Sequence, residues 1–393
     1  MSAWSIVRDA VVVLAVVSLG YYAFAIFAAT IFFRKRASSA APSGFAPSLS
    51  ILKPIHGLDR EAYENFASFC RLDYPEFEIL FCVGSASDPA VPVIEQVIRD
   101  FGAQDSPDSP GLSLRLLIGS QPVGASDKVN KLCLMAREAR YGVLLVSDSD
   151  VRVEVDFLRS VVAPFADPKV GGVTCLYRGL TDGSLAADLE ALGNSADFAP
   201  SVVVANFLGD LNFMLGAVMA TTKQRLSEIG GFAAIADYFC DDYELGNRIA
   251  AKGHRVELSE TPVAIVYPHQ TLGDAFRHQL RWNLSIRYSR PWGHVGLIFT
   301  QGLFWTVAAI VALHSWVGMI FAAAYLLLRG EVALYVGETG MGDPLVRRRQ
   351  WLLPVRDAFA FVVWLASFFP QRIHWRDQQF VVREKRLVAD SHR

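Results

Sequence analysis

Residues 10–33 run for 24 positions without a charged side chain. At a rise of about 1.5 Å per residue such a helix reaches roughly 36 Å, enough to cross a bilayer core of about 30 Å. Arg34, Lys35 and Arg36 follow the run instead of preceding it, the reverse of a cleaved secretory leader. The sequence therefore predicts a transmembrane anchor over residues 1–36. The positive-inside rule sets its Arg34 end in the cytoplasm, and with it the domain that follows. Only 19% of the residues are charged, against about 25% in a soluble domain, which fits membrane segments joined to a folded body.

A second apolar region, residues 295–328, is interrupted only by His314 and the small or polar Ser315 and Gly318. It is too long for one crossing and barely long enough for two, which predicts a tight helical hairpin. A third stretch, residues 358–369, has 12 uncharged positions, because Arg356 and Asp357 stand just before it. That length suits a re-entrant or interfacial segment, and basic residues on both flanks favour a cytoplasmic position for each end. The expected order is an anchor at 1–36, an Ala/Ser/Pro-rich linker at 37–47, and a cytosolic catalytic domain at 48–273. An interfacial helix at 274–292, a C-terminal membrane region at 293–370 and a basic cytosolic tail at 371–393 follow.

Between the linker and the interfacial helix, β-rich runs alternate with helical patterns. Strands are expected at 48–52, 78–83, 112–118 and 142–147, and helices at 58–70, 90–101 and 127–139. This alternation predicts an α/β class with a mostly parallel sheet, whose ligands sit beyond the carboxyl ends of the strands. The five cysteines are widely spaced and form no CxxC, so free thiols in a reducing compartment fit better than disulfides or zinc. With 37 Lys and Arg against 39 Asp and Glu, the chain lacks the basic excess of a nucleic-acid binder.

Neither GxGxxG nor GxxxxGK[ST] occurs, so nucleotide phosphates would have to be neutralised by other means. The strand ending at Ser147 leads into Asp148, Ser149 and Asp150, two carboxylates at i and i+2 that suit Mg2+ or Mn2+ shared with a diphosphate. Asp88 lies just past another strand, where it could equally cap the helix opened by Pro89. Lys128 opens a helix, a place that favours an anion or simply holds a solvated lysine. Asp241 and Asp242 point about 100° apart at the start of a helix, so one could serve as general base, or both with Glu244 could merely favour the helix N-terminus. In residues 274–290 a polar stripe of Arg277, His278, Arg281 and Ser285 lies beside an apolar one of Phe276, Leu280 and Leu284. The stripe could clamp phosphates or rest at a bilayer surface, with Trp282 stacking on a sugar or anchoring among headgroups.

Together these segments resemble the membrane-bound family 2-like glycosyltransferases, and most closely the ceramide glucosyltransferase family with its bacterial, hopanoid-associated relatives. The resemblance is carried by Ser50-Ile51-Leu52-Lys53-Pro54, by the stretch from Leu72-Asp73-Tyr74-Pro75-Glu76 to Phe81, by Gly124-Ala125-Ser126-Asp127-Lys128, and by Ser147-Asp148-Ser149-Asp150. The family pattern of three aspartate motifs and a terminal (Q/R)xxRW falls on Asp88, on Asp148 with Asp150, on Asp242, and on Arg281-Trp282. Two departures are visible: His278 stands where the pattern has Gln or Arg, with Gln279 one place later, and Asp241-Asp242 replaces the commoner Glu-Asp.

The resemblance implies a GT-A (Rossmann-like) domain, a UDP-sugar donor, a divalent cation and a lipid acceptor at a bacterial inner membrane. It implies that Asp88 holds the nucleoside, Asp148 and Asp150 bind UDP through Mg2+ or Mn2+, and Lys128, His278, Arg281 and Trp282 attend the donor. Asp242 would deprotonate the lipid hydroxyl for a single in-line displacement with inversion. Transfer of glucose to ceramide is the first expectation and transfer of an N-acetylglucosamine-type sugar to a hopanoid the second. A processive polysaccharide synthase and a non-catalytic membrane scaffold are the remaining alternatives.

Overall fold

The computed structural model describes residues 2–36, 44–102, 112–209, 211–369, 373–375, 378–383 and 385–389. Most of the expected linker therefore lies outside the described residues. The chain divides into two compact units whose segments interleave along the sequence. One comprises residues 38–180, 210–268 and 373–393, the other residues 1–37, 181–209 and 269–372.

The first unit is α/β. Its strands β1 (Leu49–Pro54), β2 (Phe77–Val83), β3 (Ser113–Ile118), β4 (Val143–Ser147), β5 (Val151–Arg152), β6 (Val170–Leu180), β7 (Val218–Thr222) and β8 (Arg255–Val266) form one sheet in the order β3-β2-β1-β4-β7-β6-β8-β5. The first four are mutually parallel, whereas β7 runs antiparallel to both β4 and β6. All positions of β1 and β4 are buried, the pattern of strands covered on both faces. Buried polar groups among them are paired: Glu78 accepts from Ser50 Oγ at 2.7 Å and from the Arg140 amide at 2.6 Å. The strand and helix positions expected from periodicity agree with those observed to within four residues at each end, helix Ala62–Cys70 starting latest because residues 58–61 form an irregular turn.

Residues 373–389, read from sequence as a basic tail, hold a small antiparallel sheet of β9 (Ile373–Trp375), β10 (Gln378–Arg383) and β11 (Arg386–Ala389). The β10–β11 turn docks on the same unit: the Phe239 amide donates to the Lys385 carbonyl at 3.0 Å. All five cysteines are free.

The second unit is helical. Helices Ala3–Arg34 and Trp316–Gly340 are long and apolar enough to cross a membrane. Helix Gly302–Leu313 turns into Trp316–Val332 through His314, in the left-handed region at φ 46°. A Cβ on Gly318 would lie 3.0 Å from the Ile310 Cα, so the two helices form the close hairpin expected of residues 295–328. The expected re-entrant stretch 358–369 belongs to helix Leu353–Ala366, with 14 residues.

Residues 181–209 carry no membrane-length run, yet they form helices Leu185–Gly193 and Ala199–Phe207 around a π-helical turn, Asn194–Phe198. They pack on the N-terminal helix, Phe207 meeting Phe24 and Phe27 edge-on at 5.6 and 5.5 Å and Tyr21 bonding to Ser201 at 3.0 Å. Helix Leu272–Ser289 opens with a capping box, Thr271 Oγ1 accepting from the Asp274 amide at 3.2 Å and Asp274 from the Thr271 amide at 3.0 Å.

Candidate active site

Because β1 to β4 run parallel, their carboxyl ends lie along one edge of the sheet, and the loops leaving them carry the charged residues singled out by sequence. Asp148 follows β4 directly, its amide bonding to the Ala217 carbonyl at 3.2 Å and so joining the β4 end to the start of β7. Lys128 sits in the first turn of helix Asp127–Glu138, whose cap is Ser126, its Oγ accepting from the Val129 amide. The Lys128 ammonium stands 2.8 Å from Asp148 Oδ1 and 3.5 Å from Asp241 Oδ2. Burial alone would lower its pKa, but the two carboxylates outweigh that and raise it, so the ammonium stays charged.

Helix Asp241–Ala251 presents Asp242 to the same spot. A Cβ on Gly216 would lie 3.2 Å from Asp242 Oδ2 and 3.9 Å from Asp148 Oδ2, so both carboxylates meet over a bare patch of backbone. Asp242 Oδ1 accepts from the Tyr243 amide at 2.7 Å. Its pKa is pushed up to about 7 by burial first and by the charge of Asp241 second, with Lys128 opposing. Asp150 is likewise pushed up to about 7, by burial and then by Asp148 and Asp59. A carboxyl poised in that range can accept a proton at neutral pH and hold it.

Asp88 uses both oxygens on main chain, Oδ2 accepting from Gly57 at 3.0 Å and Oδ1 from Ala90 at 2.9 Å. It therefore ties the loop after β1 to the start of helix Val91–Phe101, and the capping chemistry weighed from sequence is present beside any ligand role. His278, Arg281 and Trp282 lie on helix Leu272–Ser289 of the helical unit. There His278 Nδ1 meets Glu190 Oε1 at 2.5 Å and its ring packs on Trp282 at 4.7 Å, while Gln279 Nε2 reaches the same Glu190 oxygen at 3.1 Å.

Sequence reasoning passed over Lys53. It is wholly buried on β1, donates to the Asp148 carbonyl at 2.9 Å and Ser147 Oγ at 3.2 Å, and lies 3.8 Å over the Phe69 ring. Desolvation lowers its pKa to about 7 against the pull of Asp148 and Asp150. A lysine inside an apolar strand was the available signal. Glu190 was passed over as well, since nothing in its helical surroundings marks it out.

Among the described residues no three His, Cys, Asp or Glu side chains converge into a complete metal cage. Mg2+ takes one or two carboxylates and fills its sphere with phosphate oxygens and water, so a full cage is not required. Asp148 and Asp242 converging over Gly216, with a buried Asp241 Oδ2 that accepts no hydrogen bond, are an oxygen-rich set that fits such an ion.

The model of Glycosyl transferase family 21 matches residues 10–388. Ceramide glucosyltransferase 1 of Caenorhabditis elegans is 28% identical over 242 residues, 61% of this chain and 50% of that protein, so the matched segment spans half of the relative. Ceramide glucosyltransferase 3 of the same organism is 24% identical over 365 residues, 85% of this chain and 72% of that one. Among solved structures, a mannosyltransferase from Pyrobaculum calidifontis in complex with GDP-Man and Mn2+ is similar at TM-score 0.49 and 18% identity, covering 91% of this chain and 99% of that one. The parallel β3-β2-β1-β4 set continued by antiparallel β7 is the GT-A arrangement that the motifs implied. With a match running from the N-terminal helix into the last small sheet, the chain belongs to glycosyl transferase family 21.

Proposed function

We propose that the protein moves a hexose from a UDP-sugar to the hydroxyl of a membrane lipid, with ceramide as acceptor and glucose as the transferred sugar. The observation that carries the reading is the convergence of Asp148 and Asp242 over Gly216, with Lys128 2.8 Å from Asp148. The ceramide glucosyltransferases among its relatives point to the acceptor class.

In this reading Asp148 and Asp150 hold a divalent cation against the donor diphosphate. When bound, the cation disperses charge on the departing diphosphate. Lys128 adds fixed positive charge beside Asp148, and Asp88 keeps the loops after β1 and β2 in place for the nucleoside. Lys53 fixes the Asp148 carbonyl from below. Asp242, its pKa already raised by burial and by Asp241, takes the proton of the lipid hydroxyl as that oxygen attacks the anomeric carbon. One displacement of this kind inverts the configuration, and a base so placed contributes typically about 10²- to 10⁴-fold. Arg281 and Trp282 complete the donor site, with His278 in the position of the family's Gln or Arg. The catalytic unit works on the cytoplasmic side of a bacterial inner membrane.

The test is Asp242→Asn, assayed in membranes with UDP-glucose and ceramide. Turnover is expected to vanish while UDP binding survives. Near-normal turnover would remove Asp242 as the base, and mass spectrometry of the lipid products would identify the sugar and the acceptor.

A further inference from the structure

The helical unit encloses a cavity of about 180 Å³. Trp282 and Ile286 form part of its apolar wall, while Asp197 and Arg356 supply its polar end. Tyr22 and Val332 also line it, one from each of the two membrane-length helices, so the cavity opens among the most apolar parts of the chain. Ionisable residues at such a place face the bundle interior and mark binding sites by default.

The polar end is an ionic cluster without net charge. Arg329 Nη2 stands 2.7 Å from Asp357 Oδ1 and also pairs with Asp197, and Arg356 Nε stands 3.1 Å from Asp197 Oδ2. Two guanidiniums and two carboxylates cancel, so an added phosphate or ammonium would leave a buried charge uncompensated, whereas a neutral polar group would not.

The hydrogen-bonding capacity of the cluster is not spent. Arg356 is 5% exposed, and although its Nη2 reaches Gln279 Oε1 at 3.2 Å, its Nε and Nη1 donate to no acceptor. Asp197 Oδ2 accepts from no donor. Buried polar atoms are normally matched, so two donors and one acceptor left over on the wall of a cavity specify a ligand with both kinds of partner. The backbone is arranged around this group. Asp197 sits in the π-helical turn, a distortion common at functional sites, and a Cβ on Gly193 would lie 2.3 Å from Arg356 Nε, so only glycine leaves the guanidinium its place.

From this we infer that the cavity binds the polar neck of the acceptor lipid, an uncharged amphiphile whose headgroup carries hydroxyl and amide groups. Its size holds a headgroup, with the hydrocarbon continuing between the membrane-length helices. The inference rests on the glycosyl-transfer reading and adds where the acceptor is held.

The test uses full-length protein in phosphatidylcholine nanodiscs with an alkyne-tagged ceramide carrying a diazirine close to its amide. Crosslinks are expected in peptides spanning 282–286 or 356–360, competed by untagged ceramide, and reduced by at least about tenfold in Ala360→Trp, which fills the cavity. Ile286→Trp, at a more exposed position, repeats the test if the first variant does not fold. Ceramide 1-phosphate is expected to compete about tenfold less well than ceramide. Crosslinks confined to other peptides, crosslinks unchanged in a folded variant, or equal competition by the phosphate would overturn the assignment. The two readings separate cleanly: crosslinking here without any sugar transfer supports the cavity and sinks the transferase reading. Transfer with unchanged ceramide KM in both variants does the opposite.

Discussion

The ammonium of Lys53 donates a 2.9 Å hydrogen bond to the main-chain carbonyl of Asp148. This places a wholly buried cation directly beneath the strand end from which the acidic pair projects. Lys53→Met keeps the stem and removes the donor, leaving that carbonyl and the Ser147 hydroxyl without it. Thermal unfolding of the detergent-solubilised variant at pH 7 is expected to show a loss of about 1–3 kcal/mol, with weakened Mn2+ binding. Unchanged stability together with unchanged Mn2+ binding would deny Lys53 that role.

Lys128 offers the counter-charge to Asp148 and Asp241 when no cation is bound. Lys128→Ala leaves the two carboxylates facing each other, and removing one member of a buried pair typically costs about 3–5 kcal/mol, reduced here because Asp148 is partly exposed. The variant is expected to gain more thermal stability from added Mg2+ than the parent protein does. Differential scanning fluorimetry with and without the ion reads this directly, and equal gains would count against the pairing.

Asp150 and Asp242 both have pKa values pushed up to about 7, with burial the first cause. A carboxyl so raised holds its proton where the unfolded chain, at an ordinary value of about 3.9, has released it. The folded form therefore binds more protons between these values, and without divalent cation its stability should fall as pH climbs from about 4 to about 7. Asp242→Asn should flatten that slope. A melting curve series in chelator that rises with pH over this window, after subtraction of the Asp242→Asn series, would contradict the shift.

Gly216 stands where the two carboxylates converge, and a Cβ there would lie 3.2 Å from Asp242 Oδ2. Gly216→Ala forces the Asp242 carboxylate to move by a few tenths of an ångström. Misplacement of a catalytic group on the scale of about 1 Å can cost roughly 10²-fold, so a smaller displacement should lower kcat by less than that while leaving the melting temperature nearly unchanged. A kcat equal to that of the parent would show that the base tolerates the shift.

Periodicity made most of the α/β unit legible. The apolar runs of β1, β2 and β4 and the helix patterns between them are local properties, set by burial on both faces of a sheet and by a 3.6-residue repeat. The acidic motifs were legible for a related reason: Asp88, Lys128 and Asp148 each follow a strand, and parallel strands deliver such loops to one edge. The helical pair within residues 181–209 was not, because its residues are apolar on too many sides to show one face and too few to span a bilayer. Its partners, Phe24 and Phe27, lie far away in sequence. The ionic cluster of Asp197, Arg329, Arg356 and Asp357 escaped notice on the same ground, each charge looking like an interruption until its counterpart appeared.

What the chain alone determined is what depends on near neighbours: a membrane-length apolar helix, alternating strands and helices, and acids placed just past strand ends. Only the tertiary structure decided which distant groups share a site. Coulomb interactions, desolvation and steric room act through space, so the pairing of Lys128 with Asp148, the burial of Lys53 beneath them, and the bare backbone at Gly216 could be specified only by the folded sheet.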